Sequence, residues 1–313
     1  MSIISVDGLR KTYGDLVAVD NISFQARKGE ILGILGPNGS GKTTTLKSIL
    51  GLITFDSGSI TVKDVNVQKS RTRAVGHMGA ILEGARNIYW YLSPKENLIY
   101  FAGIKGYSRR SVTSRIDRLL TELGLDDVRD KEVREFSSGM KQKTALACAL
   151  VHDPEILLLD EPTLGLDVET SSSVRGMLRS LVKDRGKTIL ITSHDMSFVE
   201  SVCDRVLIIR EGSIVSHETI TSLRQKFANK IYLLELRGPV GEDFRGRMTD
   251  DFGGVIEQSA SGEVTVNLRL DAPMQLLDVL SMVREHGITL EDIRVVESSL
   301  EDIFLDLIGK IWE

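Results

Sequence analysis

The sequence predicts an α/β fold built around a phosphate-binding loop, followed by a small α+β domain of ferredoxin-like order. Three observations carry that prediction. A glycine-rich string, GPNGSGKT (36–43), directly follows the apolar run ILGIL (31–35). Strand-like apolar segments then alternate with helix-like ones as far as about residue 215. Near residue 225 the character changes: residues 225–313 carry 9 Lys/Arg against 17 Asp/Glu, while residues 1–224 carry 30 against 27. At 313 residues the chain exceeds the usual single-domain size, so domains over 1–224 and 225–313 are expected.

Short apolar segments separated by polar turns (3–6, 16–19 and 22–24) open the chain as an antiparallel strand set. The run 31–35 reads as a buried strand, and 44–50 as a helix whose positive N-terminus faces the phosphates. Residues 85–152 form a helical subdomain. There Ser93-Pro94-Lys95-Glu96 makes a capping box with proline at the first helical position, and 115–123 has an apolar helical face. Strand and helix alternate again: ILLLD (156–160), a helix over 169–185, and TILIT (188–192). The strands 206–210 and 213–215 close the unit as a hairpin around Glu211-Gly212. Beyond 225, strands at 230–237, 254–259, 263–270 and 288–297 with helices at 240–251 and 273–286 give the order βαββαβ. A last helix starts at a second capping box, Ser298-Ser299-Leu300-Glu301, with Leu300, Ile303, Phe304, Leu307 and Ile308 as its apolar stripe.

The glycine-rich string specifies its own chemistry. Gly36, Gly39 and Gly41 let the backbone wrap a polyphosphate with its N–H groups pointing inward, and Pro37, Asn38, Ser40 and Thr44 of the same string are expected to bind the nucleotide with them. Lys42 reaches the β and γ phosphates, and the Thr43 hydroxyl coordinates Mg²⁺. The string ILLLDEPT (156–163) ends a buried strand in two carboxylates. Asp160 suits the Mg²⁺ side, opposite Thr43, and Glu161 suits the general base that polarises the attacking water. At the end of the next strand His194 is placed for a γ-phosphate contact.

These strings together resemble the ATP-binding cassette (ABC) ATPase family over residues 1–220. GPNGSGKT resembles the family's Walker A motif and ILLLDEPT its Walker B motif. FSSGMKQK (136–143) resembles the signature segment, LGLD (164–167) the D-loop, and TSHD (192–195) the switch histidine. The resemblance implies a RecA-like core with an antiparallel β subdomain and a helical subdomain. It also implies two cassettes sandwiching two Mg-ATP head to tail. In that arrangement Ser137 and Gly139 contact the γ-phosphate held by the other subunit, Asp167 lies at the subunit interface, and Tyr13 stacks on adenine. The partner is a separate transmembrane permease subunit, and the dimer is formed with a second copy or a similar cassette. SLEDIF (299–304) is similar to the C-terminal extension of type-2 exporters of drugs, lipids and immunity peptides.

The sequence departs from the family pattern in three places. Its signature reads FSSGM where LSGGQ is commonest, so Phe136, Ser138 and Met140 differ while Ser137 and Gly139 are kept. The position of the Q-loop glutamine holds Glu83, read either as an alternative metal-side ligand, as a brake on turnover until the partner arrives, or as a solvated side chain. Residues 86–91 (RNIYWY) are unusually aromatic; they either line the groove that receives a helix of the membrane subunit, or Trp90 staples the helix that follows.

Composition sets the remaining bounds. An apolar fraction of 42% with 27% charged residues is ordinary for a soluble globular protein. No run approaches bilayer length and the first residues begin no signal peptide, so a peripheral place on the cytoplasmic face of a membrane is expected. Neither half has the basic excess of a nucleic-acid binder. Cys148 and Cys203 sit in apolar helical contexts and are expected to be reduced core residues. The leading expectation is an exporter's ATP-hydrolysing subunit. Two others stand beside it: a soluble cassette ATPase acting on ribosomes or DNA, and a low-turnover regulatory module.

Overall fold

In the computed structural model, which describes residues 1–82, 87–226, 230–258, 264–270, 274–296, 300–307 and 309, the opening segments merge into two long strands. β1 (Ser2–Tyr13) and β2 (Leu16–Arg27) pair antiparallel, with register shifts that break strict alternation and so make each look like several short strands. β4 (Ser57–Val62) and β5 (Val65–Asn66) complete a four-stranded sheet ordered β2-β1-β4-β5. Its buried face carries Ile4, Val6, Leu9, Val19, Ile22, Phe24 and Ile60.

The central sheet has six strands in the order β10-β9-β3-β8-β7-β6. β3 (Ile31–Leu35), β6 (Met78–Ile81), β7 (Ile156–Asp160), β8 (Thr188–Thr192) and β9 (Arg205–Arg210) run parallel, and β10 (Ser213–Thr219) is antiparallel to β9. Every residue of β3, β7 and β8 is buried, which explains their uninterrupted apolar runs. The β9–β10 hairpin turns through Glu211 and Gly212, both at positive φ (49° and 78°), the backbone that a right-twisted two-residue turn requires. Because β3, β8 and β7 are neighbours, the loops leaving their carboxyl ends meet, the usual place for a ligand in an open α/β sheet.

Around this sheet lie α1 (Lys42–Ile49), α2 (Arg71–Gly76), α6 (Val168–Lys183) and α7 (Met196–Val202), while α3 (Pro94–Ile104), α4 (Arg109–Glu122) and α5 (Ser138–Leu150) make the helical subdomain. α3 begins with the full capping box: Ser93 Oγ accepts from Glu96 N at 3.2 Å, and Ser93 N donates to Glu96 Oε2 at 2.9 Å. The buried Asn97 pins the preceding loop, donating to Tyr89 O at 2.9 Å and Ser93 O at 3.0 Å and accepting from Tyr89 N at 2.8 Å. Trp90, ahead of α3, is half exposed, and the centroid of its ring lies 4.9 Å from Lys141 Nζ. Both cysteines are free and buried.

The chain divides into two compact units, Met1–Ile220 and Thr221–Glu313. The second opens with α8 (Ile220–Lys226, beginning at the boundary) and contains β11 (Lys230–Arg237), α9 (Glu242–Phe252), β12 (Val255–Gln258), β13 (Val264–Leu270), α10 (Gln275–Glu285) and β14 (Thr289–Val296). Its antiparallel sheet is ordered β12-β13-β11-β14, the ferredoxin-like arrangement. Tyr232, Leu234, Phe244, Met248, Val266, Leu268, Val279 and Met282 form its core. α11 (Leu300–Leu307) buries Leu300, Ile303 and Phe304; the capping serine predicted at Ser298 lies outside the described residues. Among the described residues no helix is long and apolar enough to cross a membrane.

Candidate functional site

The loop between β3 and α1 forms the floor of a pocket of about 310 Å³ lined by the loop residues Asn38, Gly39, Gly41, Lys42, Thr43 and Thr44, with Asp160 and Glu161 on one side. Tyr13, Leu16 and Ala18 of the β1–β2 hairpin form its other rim. Glycine is required here for space as well as conformation. A Cβ at Gly41 (φ 106°) would stand 2.4 Å from Ala18 O, and one at Gly36 would stand 2.2 Å from Ile209 O. Ser40 is buried, and its Oγ has no hydrogen-bond partner among the described residues, which leaves a donor free for an oxygen of a ligand.

Lys42 folds back over the loop, its ammonium donating to Gly36 O at 2.7 Å and Pro37 O at 3.0 Å. Burial holds its pKa below the ordinary lysine value, against the pull of Glu161 and Asp160. A cation so desolvated gains most from an anion placed beside it. Thr43 Oγ1 stands 3.3 and 3.2 Å from the two oxygens of Asp160.

The acidic pair is fixed from β8. Thr192 lies opposite Asp160 in register, and its hydroxyl donates to Asp160 Oδ1. Thr192 Oγ1 in turn accepts from Glu161 N at 3.2 Å, and Thr192 O accepts from Glu161 N at 3.1 Å. Glu161 has a left-handed backbone (φ 50°), a conformation that a non-glycine residue keeps only when its surroundings enforce it. The turn aims its carboxylate at His194, whose Nδ1 is 2.9 Å from Glu161 Oε2. Sequence reasoning named Asp160, Glu161 and His194 but passed over Thr192, although it stands inside the same TSHD string. Leu16 and Ala18 on the rim carried no signal beyond apolar alternation.

Tyr13 sits on the pocket rim, partly exposed, with Lys11 Nζ 4.9 Å from its ring centroid. Ser137, Gly139 and Asp167 are brought together at another place, the junction of α5 with α6, and do not line this pocket. Ser137 caps α5 by accepting from Met140 N at 3.3 Å, and Ser138 Oγ donates to Gly165 O at 3.2 Å. Asp167 caps α6, accepting from Thr170 N at 2.7 Å and Thr170 Oγ1 at 3.0 Å, which lowers its pKa. Glu83 lies outside the described residues. Among the described residues no cluster of three His, Cys, Asp or Glu side chains could hold a metal; Thr43 and Asp160 are the neighbouring pair that could share a cation with oxygens of a ligand.

The sequence pattern of the family described as "ABC transporter" matches residues 19–164. The chain is similar over 319 residues, at 35% identity, to the bacitracin transport ATP-binding protein BcrA of Bacillus licheniformis, covering 98% of each. Its identity to the ABC transporter ATP-binding protein NatA of Bacillus subtilis is 38% over 223 residues, covering 70% of this chain and 90% of that one. Among solved structures it resembles cbiO1 of Clostridium perfringens, part of the ABC transporter complex cbiONQ, with a TM-score of 0.66 and 27% identity over 72% of this chain and 91% of the other.

Proposed function

Since this chain belongs to the ABC transporter family of ATP-binding proteins and is an ATPase, we propose that it is the cytoplasmic-face subunit of a type-2 exporter, closing as a dimer around two Mg-ATP. The observation that carries this reading is the division of the site. The pocket supplies the adenine rim, the phosphate loop and both carboxylates, while Ser137, Gly139 and Asp167 gather at the α5–α6 junction, outside it. A second cassette, packed head to tail, would bring its own Ser137 and Gly139 to the γ-phosphate. The serine hydroxyl and the N–H groups at the start of α5 are suited to that anion.

In the closed state Tyr13 stacks on adenine and Lys42 turns from the loop carbonyls to the β and γ phosphates. Thr43 and Asp160 are the residues that would hold Mg²⁺, which neutralises developing phosphate charge when bound. Glu161 accepts the proton of the water that attacks the γ-phosphorus as the bond to the β-phosphate oxygen breaks, leaving ADP and phosphate. His194 holds the Glu161 carboxylate in its working orientation and reaches the γ-phosphate.

The membrane partner has a candidate seat. An apolar pocket of about 300 Å³ opens among α1, α2, β6, α3 and α5, with Leu52, Val75, Leu82, Phe101 and Ile104 in its lining. Phe101 is in ring contact with Tyr89 and Tyr100, so the wall continues into exposed aromatic surface. Relatives named for bacitracin transport and Nod factor export support an exporter. A tagged Glu161→Gln chain, purified from native membranes with ATP and Mg²⁺, should bring down a polytopic membrane protein. Recovery of ribosomal, DNA-bound or other soluble proteins alone, from an intact membrane fraction, would instead favour a soluble cassette ATPase.

A further inference from the structure

We propose that Asp56 is a positioning residue for the nucleotide: its carboxylate fixes the tip of the β1–β2 hairpin, so that Tyr13 is held in place for the base. The inference rests on the stacking of Tyr13 on adenine proposed above and adds the residue that prepares that stack.

Regular pairing gives out at this tip. The ladder between β1 and β4 ends with Arg10 opposite Ser57 and stops short of Tyr13. The ladder to β2 shifts register between Leu9 and Lys11, and again between Lys11 and Thr12. Asp56, the residue just before β4, takes over where the strand stops. Its N–H donates to Arg10 O at 2.8 Å, which sets it beside the hairpin, and Phe55 before it is buried in the core. One carboxylate oxygen, Oδ2, accepts from both Thr12 N at 2.6 Å and Thr12 Oγ1 at 2.8 Å. The other, Oδ1, lies 3.9 Å from Lys11 Nζ, and that ammonium stands over the Tyr13 ring, 4.9 Å from its centroid. The Thr12 hydrogen bonds hold the Asp56 carboxyl below the ordinary carboxylate range, so the tip meets its charged, accepting form. Asp56 does not line the nucleotide pocket, whereas Tyr13 does.

With Lys11 over one face of the ring, the opposite face is left for a base. A ring already held there is ordered before the nucleotide arrives. A ring on a frayed tip must be fixed at the moment of stacking, and that ordering cost is taken out of the affinity. The phosphate end is held separately, by the loop and Lys42, so losing Asp56 should weaken the grip on the base and spare the grip on the phosphates.

Equilibrium binding to the full chain separates the two ends of the nucleotide. ADP reports on base and phosphates together without turnover, and inorganic tripolyphosphate reports on the loop alone. Tyr13→Ala should weaken ADP binding about tenfold. Asp56→Ala should weaken it about three- to tenfold, with tripolyphosphate affinity kept within about twofold. Asp56→Asn retains an oxygen that can accept both Thr12 bonds and should recover most of the ADP affinity. In a Tyr13→Ala chain, Asp56→Ala should add no further loss, a result that general loosening of the fold would not give. Three outcomes overturn the inference while Tyr13→Ala still weakens ADP and its stacking stands: an Asp56→Ala chain that binds ADP like its parent, one that loses tripolyphosphate in step with ADP, or one whose loss is undiminished without Tyr13. A Tyr13→Ala chain that binds ADP as tightly as its parent overturns the stacking itself, and the inference with it.

Discussion

Thr192 is one hydroxyl serving two carboxylate residues: it donates to Asp160 Oδ1 and accepts from Glu161 N. A hydroxyl has one proton and two lone pairs, so both bonds are compatible. Thr192→Val keeps the β-branched shape and deletes both bonds, while Thr192 O still holds Glu161 N. Losing about 1–2 kcal/mol of positioning predicts steady-state hydrolysis about tenfold slower, with ATP affinity little changed. Glu161→Gln removes the proposed proton acceptor, and a drop of about 10²- to 10⁴-fold in turnover with ATP still bound is expected. Single-turnover hydrolysis beside equilibrium nucleotide binding measures both; a Glu161→Gln chain with undiminished turnover would show that the base lies elsewhere. The contact of His194 with Glu161 predicts that His194→Ala shares the direction of Glu161→Gln, and that combining the two costs less than the product of the single effects.

At the level of elements, α5 and α6 touch through an absent side chain. A Cβ at Gly139 would lie 2.5 Å from Thr170 Cγ2 and 2.8 Å from Thr170 Oγ1, while Thr170 itself is tied to the Asp167 cap. Gly139→Ala should therefore destabilise the chain by about 1–3 kcal/mol, and Gly139→Ala with Thr170→Ala by less than the sum, read from denaturant unfolding. The contact of α5 with β6 is sensitive to acid. His152, just after α5, bonds Met78 O on β6, and its pKa is lowered to about 4, first by burial and then by Lys105. In the unfolded chain a histidine titrates near 6.5, so between about pH 6.5 and 4 the unfolded state binds more protons. Stability is full above that window and falls as pH drops through it; His152→Leu should flatten this part of the pH–stability curve. The elements most legible in the sequence were those written in local chemistry. Ser93 and Glu96 marked α3, Glu211-Gly212 marked the β9–β10 turn, and the apolar runs of β3, β7 and β8 marked a doubly covered sheet. The β1–β2 pair was harder because its register shifts interrupt the period-two pattern. β4, β5, β6 and α2 are six residues or fewer and carry too few repeats to declare a period. The same limit applies to the site: strings announced the loop, the carboxylates and His194, whereas the role of Thr192 comes from pairing β7 with β8 across 32 residues.

At the scale of the whole molecule, the proposed head-to-tail dimer completes each site with a second copy of the α5–α6 junction, and Ser137 is where that proposal can be isolated. Its side chain has two roles that one substitution can separate: it caps α5, and it would meet the γ-phosphate of the facing subunit. Ser137→Asp keeps an oxygen that accepts at the N-cap, so α5 should retain its stability within about 0.5 kcal/mol. The same carboxylate would face the γ-phosphate, where like charges at close range disfavour closure. In a Glu161→Gln background, which keeps ATP bound, sedimentation with ATP and Mg²⁺ should show a dimer at about twice the monomer mass. Adding Ser137→Asp should return it to the monomer, with nucleotide affinity of the single chain unchanged because Ser137 does not line the pocket of its own subunit. Lys42→Ala supplies the complementary case, losing nucleotide and dimer together. If instead the Ser137→Asp chain dimerised with ATP as readily as its parent, the junction would not face phosphate. The division of the site between α1 and α5 would then be a matter of helix capping alone.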